Sequence, residues 1–177
     1  MTASNGKYSF KIRFNKKAIR EWAGKYDVDY DSEIETIIAP RVKARGYFLR
    51  EEFIRLCRWK TPRSQSKVAS NPANYIEAVT QVALSTPNER LRIEVLLLLN
   101  GVRWPTASVV LHFCHTEPYP ILDVRALWSI GIDANTIPYN FDFWNEYTQY
   151  CRKLANEANV TMRELDRALW QYSKEHQ

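Results

Sequence analysis

Three observations predict an all-α fold for this chain. Apolar residues recur with the period of a helix along nearly all of its 177 residues. Only five glycines occur, and no segment is repeated or of low complexity. Alternation of apolar and polar residues, typical of a strand, is confined to residues 8–14. We therefore expect one helical domain over residues 1–177, with a single short strand at residues 8–14.

Helical period and capping residues predict four helices before the middle of the chain. They lie near residues 16–26, from residue 31 or 32 to an interruption at Pro40, up to Trp59, and from Pro72 onward. The polar, proline-containing residues 61–67 predict a loop. The residues expected to face the core from the second and fourth helices are Ile34, Ile37, Ile38, Ile76, Val79, Val82 and Ala83.

Two further helices meet at a short turn in the middle of the chain. The first begins at Pro87 and runs into a turn at residues 100–104, and Pro105 suits the first turn of the second. Such a hairpin offers backbone N–H groups and a helix N-terminus to an anion such as a phosphate. The same pattern is also that of an ordinary αα-hairpin, which is common in all-α domains.

Three helices are predicted after this hairpin. A short helix near residues 124–130 ends at Gly131, and a long helix covers Phe141–Ala158. Residues 161–164 form a capping box that opens the last helix. The short helix is expected to direct three side chains inward, namely Val124, Leu127 and Trp128.

The charge of the chain is positive and unevenly distributed. The net charge is +5, and residues 1–70 contain 16 Lys and Arg against 8 Asp and Glu. Residues 71–177 contain 9 Lys and Arg against 12 Asp and Glu. A basic surface of this kind favours a nucleic-acid partner, because it neutralises phosphates. A solvated basic face without a partner is the alternative.

Cysteine and histidine spacing argues against a disulfide framework and against a metal site. The three cysteines, Cys57, Cys114 and Cys151, are far apart in the sequence. His112 and His115 have a spacing that a metal could use, but no carboxylate or cysteine is grouped with them, so we expect packing or surface roles. The polar start Met1–Gly6 and the absence of long apolar runs predict an intracellular, cytoplasmic protein without a membrane partner.

The central hairpin carries a more specific pattern. Five residues, Leu99, Gly101, Val102, Thr106 and Ala107, fit Leu-x-Gly-Val-Gly-x-x-Thr-Ala, and Asp123 follows them. In this pattern, and in the lone Asp about 20 residues further on, the segment over residues 97–125 resembles the helix-hairpin-helix DNA glycosylase superfamily, which includes the endonuclease III and alkyladenine glycosylase families.

The resemblance implies an enzyme that binds double-stranded DNA, and it places the hairpin at residues 97–113. We expect the protein to be a monomer. Members of this superfamily often fold as two helical lobes around a cleft and hydrolyse the N-glycosidic bond of a damaged or modified base, leaving an abasic site. On DNA the protein would be associated with the nucleoid. Asp123 takes the position of the catalytic carboxylate. The residues that would contact DNA are Asn100, Gly101, Val102, Arg103, Trp104, Thr106 and Arg125, and the candidates for stacking a flipped base are Tyr47, Trp59 and Tyr119.

The chain departs from the superfamily pattern in three places. Pro105 stands where bifunctional members have the lysine of a Schiff base, so we expect base release without strand cleavage. Only Cys151 follows Asp123, which excludes the four-cysteine iron–sulfur cluster of some members. Arg103 replaces the second glycine of the turn, where it strains the backbone, shifts the turn or contacts a phosphate directly. The resemblance also implies a monovalent cation at the hairpin carbonyls.

Three alternatives stay open at this point. Asp123 is also a suitable N-cap for the helix that begins near Val124, and this role is compatible with catalysis. The same fold could serve as a non-catalytic DNA-binding or assembly module, which Arg103 and the missing lysine favour. A helical protein-interaction domain with an accidental hairpin resemblance is the third.

Overall fold

The computed structural model describes residues 6–177, and the all-α class is confirmed for this part of the chain, which contains no strand. Of the polar start Met1–Gly6, only Gly6 lies within the described residues. The ten α-helices of the described residues are α1 (Ile19–Gly24), α2 (Ala39–Arg45), α3 (Arg50–Lys60), α4 (Gln65–Ala69), α5 (Ala73–Ser85), α6 (Glu89–Glu94), α7 (Trp104–Cys114), α8 (Val124–Ser129), α9 (Phe141–Ala158) and α10 (Met162–His176).

The chain divides into two compact units. Unit 1 comprises the described residues up to Tyr26 together with Leu122–Gln177, and unit 2 comprises Asp27–Ile121. Unit 1 therefore contains α1 and α8 to α10, and unit 2 contains α2 to α7. Asp123 and Arg125 belong to unit 1, whereas the hairpin belongs to unit 2.

Unit 2 is built around α7, the helix that follows the hairpin. Nine of its eleven residues are buried, including Val109, Val110 and Leu111. A helix that is apolar on all sides is surrounded by its neighbours, and α2, α3, α5 and α6 all contact α7. The turn that precedes α7 is therefore attached to the best-packed element of the unit.

Unit 1 packs α1 and α8 against the C-terminal helix α10. The α9 bounds agree with the predicted long helix, which Asn140 caps at its N-terminus and Asn159 ends in the left-handed conformation, with φ +52°. The predicted capping box at Thr161 and Glu164 opens α10, and both of its hydrogen bonds are present.

Two of the predicted elements are wrong. The segment over residues 8–14 forms no strand in the described chain: its Lys11 and Arg13 N–H groups donate to carbonyls of Ile130 and Ser129, at the end of α8. The predicted loop at residues 61–67 instead contains a 3-10 turn (Pro62–Ser64) and the start of α4. The buried Val68 side chain anchors α4, a tertiary contact that the polar composition of this stretch hides.

Three side chains predicted to face inward are exposed: Ile37, Val82 and Val124 are 44%, 39% and 57% accessible. Each lies at the edge of its buried face, and at Ile37 a π-helical turn (Ile34–Ile38) changes the helical period on which the prediction relied. None of the helices within residues 6–177 combines the length and the apolar character that a bilayer span requires.

Candidate functional site

The turn between the 3-10 segment Val95–Leu98 and α7 has a well-defined backbone. Gly101 adopts a φ of +80°, in the left-handed region that favours glycine, and the Val102 N–H donates to the Leu99 carbonyl at 3.1 Å. Arg103 is extended, with φ −131° and ψ 174°, and serves as the N-cap of α7. Arg103 is therefore unstrained, and the glycine of the superfamily pattern is not required at this position for conformational reasons.

Gly101 also lies in close contact with α4. A Cβ atom added at Gly101 would lie 2.9 Å from Val68 Cγ2 and 3.0 Å from both Lys67 Cβ and the Val68 backbone nitrogen. The 2.9 Å distance is shorter than real Cβ contacts, the 3.0 Å distances are tighter than nearly all of them, and one partner is backbone that cannot rotate away. The sequence therefore needs glycine at 101 for two reasons, the positive φ and the approach of α4.

The buried side chain of Asn71 fastens the turn to α4. Its Oδ1 accepts from the Asn100 N–H at 2.9 Å, and its Nδ2 donates to the Asn100 and Val68 carbonyls at 3.0 and 2.8 Å. Asn71 is only 2% exposed, so these bonds replace water for the backbone groups they join. Sequence reasoning missed this role, since the one local signal at Asn71 is the Asn-Pro pair at a helix start.

Loss of this bridge should be costly. We expect Asn71→Ala to lower the free energy of unfolding by about 2–4 kcal/mol, because it leaves buried backbone groups without partners. Asn100→Ala is the matched control, because the Asn100 side chain makes only a 3.4 Å contact with Ser70 Oγ, and its loss should cost under about 1 kcal/mol. Urea unfolding of both variants measures the difference, and equal losses would contradict the bridging role.

The turn presents backbone donors at the N-terminus of α7. The N–H groups of Gly101 and Arg103 have no acceptor in the part of the chain that the structure describes. The first helical hydrogen bond of α7 runs from the Ala107 N–H to the Arg103 carbonyl at 2.9 Å. The N-terminus of a helix carries a partial positive charge, so the two donors lie where an anion is favoured.

Three exposed cations lie on the turn or on the segment packed against it. They are Arg63, Lys67 and Arg103, and none of the three has a carboxylate partner among residues 6–177. Lys67 is in contact range of Gly101, and a 3.4 Å contact between the Thr61 and Thr106 hydroxyls joins the start of the Arg63 segment to α7. Unpaired positive charge therefore flanks the free N–H groups.

The turn does not fit the monovalent cation that the resemblance implies. The Leu99 carbonyl accepts from Val102 and the Asn100 carbonyl accepts from Asn71. The Val102 carbonyl accepts from the Arg103 guanidinium at 3.2 Å, which places a positive charge where the cation would bind. We therefore assign no cation to the hairpin.

The predicted stacking residues differ in accessibility. Tyr119 is fully buried, and its hydroxyl lies between the Arg92 guanidinium and the Glu89 carboxylate, so its ring is not available to a base. Trp59 is half-buried, with its indole N–H on the Tyr30 carbonyl at 3.1 Å. Tyr47 is half-buried beneath the Arg45 guanidinium, 5.1 Å from the ring centroid. The hairpin residues Val102, Trp104 and Thr106 are buried and support the turn from within.

Asp123 is a half-buried carboxylate at the start of α8. Its Oδ1 accepts from the Arg125 N–H at 2.9 Å, so it caps the helix. Tyr139 lies nearby: burial raises the pKa of Tyr139, and the negative charge of Asp123 raises it further. The Arg125 side chain makes no ion pair with Asp123 in the described structure and lies over the Trp170 ring instead, with Cζ 5.4 Å from the centroid.

The three cysteines of the chain are buried. Burial raises the pKa of Cys57 and Cys151, and burial raises that of Cys114 to about 12, so none is a thiolate nucleophile near neutral pH. No group of three or more His, Cys, Asp or Glu side chains among residues 6–177 is arranged to hold a metal ion.

Comparison of this chain with family models, with curated proteins and with solved structures finds no match.

Proposed function

We propose that this protein is a DNA glycosylase without a lyase step. It binds duplex DNA through the turn at residues 99–103 and hydrolyses the N-glycosidic bond of a modified base with the help of Asp123. The observation that carries the proposal is the turn itself. It combines two backbone N–H groups without acceptors, the N-terminus of α7 and three exposed cations without carboxylate partners.

A phosphodiester is the anion that suits this turn. Backbone N–H groups bind phosphate oxygens whatever the base sequence of the DNA. Arg103 adds a guanidinium that can bind such oxygens in a bidentate manner. Contacts with the rest of unit 2 hold the turn in the absence of a ligand, because Gly101 is packed against α4 and Asn71 binds both backbone groups of Asn100. A preorganised site of this kind loses little conformational entropy on binding.

The chemical step needs a carboxylate, which Asp123 supplies. Cleavage of an N-glycosidic bond passes through a sugar with oxocarbenium character, and the bond becomes accessible only when the nucleotide is flipped out of the duplex. An ionised carboxylate stabilises that positive charge or accepts a proton from the attacking water. The Arg125 N–H bond fixes the orientation of the Asp123 side chain at the start of α8.

We propose no lyase step at the position of Pro105, where bifunctional members of the superfamily have the lysine of a Schiff base. Pro105 is in the first turn of α7 and has no amine, and no lysine occurs between Lys67 and Lys153. A Schiff base with the sugar requires such an amine. The product should therefore be an abasic site, which breaks only under alkali.

A non-catalytic DNA-binding module is the second candidate. The observation that favours it is the capping bond of Asp123, which alone explains an aspartate at this position. Release of a base from a duplex, compared between the wild type and Asp123→Asn, distinguishes the two functions.

The salt dependence of binding tests the DNA interface. We expect the double variant Arg63→Gln/Lys67→Gln to bind duplex DNA with a log–log salt slope smaller by about 1.8, since each lost phosphate contact removes about 0.9. Lys43→Gln is a control on α2 that removes one exposed charge from the same unit, and its slope should stay near the wild-type value. A wild-type slope in the double variant would remove these cations from the interface.

A further inference from the structure

Unit 1 contains a concentration of positive charge around two aromatic rings, Tyr26 and Trp170. The Arg125 guanidinium carbon and the Lys174 ammonium lie 5.4 and 5.3 Å from the centroid of the Trp170 ring. Trp170 in turn meets Tyr26 edge to face at 5.4 Å. Two more guanidinium groups, those of Arg163 and Arg167, lie 5.5 and 5.4 Å from the Tyr26 centroid. We call these six residues the Trp170 cluster.

Ion pairing differs among the four cations of this cluster. Asp166 pairs with Arg163 at 2.6 Å and is 8% exposed. Arg125 and Lys174 have no carboxylate partner within the described residues, and both side chains reach solvent. Burial lowers the pKa of Arg163 and the charge of Arg167 also lowers it, against Asp166, which raises it. An anion is therefore the group that Arg125 and Lys174 lack.

Two like charges from different helices lie near the ring of Trp170. Arg125 comes from α8 and Lys174 from α10, and each lies within cation–π distance of this one indole. Neither cation has a carboxylate partner in the described structure, so a bound anion would supply the ionic interaction that each lacks. The Arg125 guanidinium offers a planar pair of donors and the Lys174 ammonium offers a point charge. This combination suits the oxygens of a phosphate group.

We propose that Arg125, Trp170 and Lys174 form a phosphodiester-binding site on unit 1, and that its occupant is the backbone of a nucleic acid. The choice of nucleic acid as the polyanion rests on the proposed function. In this site Arg125 and Lys174 bind phosphate oxygens, and Trp170 is a positioning residue that holds the two cations.

The site is adjacent in sequence and in structure to the carboxylate of Asp123. The N–H of Arg125 binds Asp123 Oδ1 at 2.9 Å, while its side chain lies over Trp170. A carboxylate repels a polyanion, and the attraction of a phosphate to Arg125 and Lys174 offsets that repulsion at the point where Asp123 must approach the strand. One residue, Arg125, thus links the proposed catalytic group to the proposed phosphate site.

Salt titration of duplex binding tests this site directly. The full chain and its double variant Arg125→Gln/Lys174→Gln are titrated with a short duplex that carries a non-hydrolysable abasic analogue, between 50 and 200 mM salt. Losing two phosphate contacts lowers the salt slope by about 1.8, so the affinity ratio across this range shrinks about tenfold relative to the wild type. Both substitutions leave the backbone cap of α8 in place.

Two controls separate charge from structure. Lys153→Gln removes one charge from α9, where Lys153 contacts Glu157 at 3.9 Å and neither ring of the Trp170 cluster, and should keep the wild-type slope. Lys174→Arg keeps the charge and should also keep the slope. A wild-type slope in the double variant overturns the site, and so does an equal loss of slope in Lys153→Gln.

The outcomes also separate this site from the proposed function. If the double variant loses slope while no duplex ever releases a base, the phosphate site stands and the glycosylase assignment fails. If base release depends on Asp123 while the double variant binds with the wild-type slope, the glycosylase stands and the Trp170 site fails.

Discussion

Asp123→Asn folds, binds duplex DNA and releases no base: this is the largest single effect that we expect. The amide has no negative charge with which to stabilise the positive sugar of the transition state, and it cannot take a proton from water. Removal of such an electrostatic or acid–base contribution costs about 10²–10⁴ in rate. Asparagine is as good an N-cap as aspartate, so the bond to the Arg125 N–H and the start of α8 should be retained.

The chain offers a matched control for this substitution. Asp133 also belongs to unit 1, and its Oδ1 accepts from the N–H two residues later, that of Asn135, at the same 2.9 Å as in Asp123. Asp133→Asn should release the base at the wild-type rate, and both variants should keep the wild-type melting temperature. Full activity in Asp123→Asn would remove this carboxylate from the mechanism. An equal loss of activity in Asp133→Asn would show that the change in net charge, and not the position of the Asp123 carboxylate, is responsible.

Gly101→Ala should destabilise unit 2 and weaken DNA binding together. The positive φ costs a non-glycine residue about 1–2 kcal/mol, and the new methyl group meets the backbone of α4 at 3.0 Å. Such overpacking adds about 1–3 kcal/mol, so we expect a total loss of about 3 kcal/mol. Because the turn must move away from α4, duplex affinity should fall more than tenfold even at temperatures where the variant is folded.

Comparison with Gly46→Ala isolates the steric part of this destabilisation, because Gly46 has a positive φ without a close neighbour. Gly46 ends α2 with a φ of +87°, but nothing lies within 4 Å of an added Cβ atom. We expect it to lose only about 1 kcal/mol, and to bind duplex DNA as the wild type does. Urea unfolding and duplex titration of both variants provide the comparison. Equal destabilisation by the two substitutions would contradict the close approach of α4 to the hairpin.

The elements that the sequence predicted best are those defined by local signals. The bounds of α9 and the capping box of α10 depend on residues within a few positions of each other, and both are found as predicted. Glycine at 101 and the aspartate before α8 are also local features, and the structure gives each a local reason, a positive φ and an N-cap.

The parts that the sequence did not reveal depend on contacts between distant residues. Asn71 holds Asn100 across 29 positions, and nothing in the intervening residues predicts that pairing. The Trp170 cluster joins three separate segments of the chain through side chains that look like ordinary surface residues in the sequence. Tyr119 illustrates the converse, because its aromatic ring suggests a base-stacking residue while tertiary packing buries it completely.

Base release from modified duplexes tests the central claim most directly. Duplexes that each carry one alkylated, oxidised or deaminated base are incubated with the wild type and with Asp123→Asn, and the strands are analysed with and without alkali. We expect alkali to break one of these strands after incubation with the wild type, no strand to break without alkali, and no strand to break after incubation with Asp123→Asn. Duplex binding by the wild type with no base released from any strand would contradict it and would favour a non-catalytic DNA-binding module.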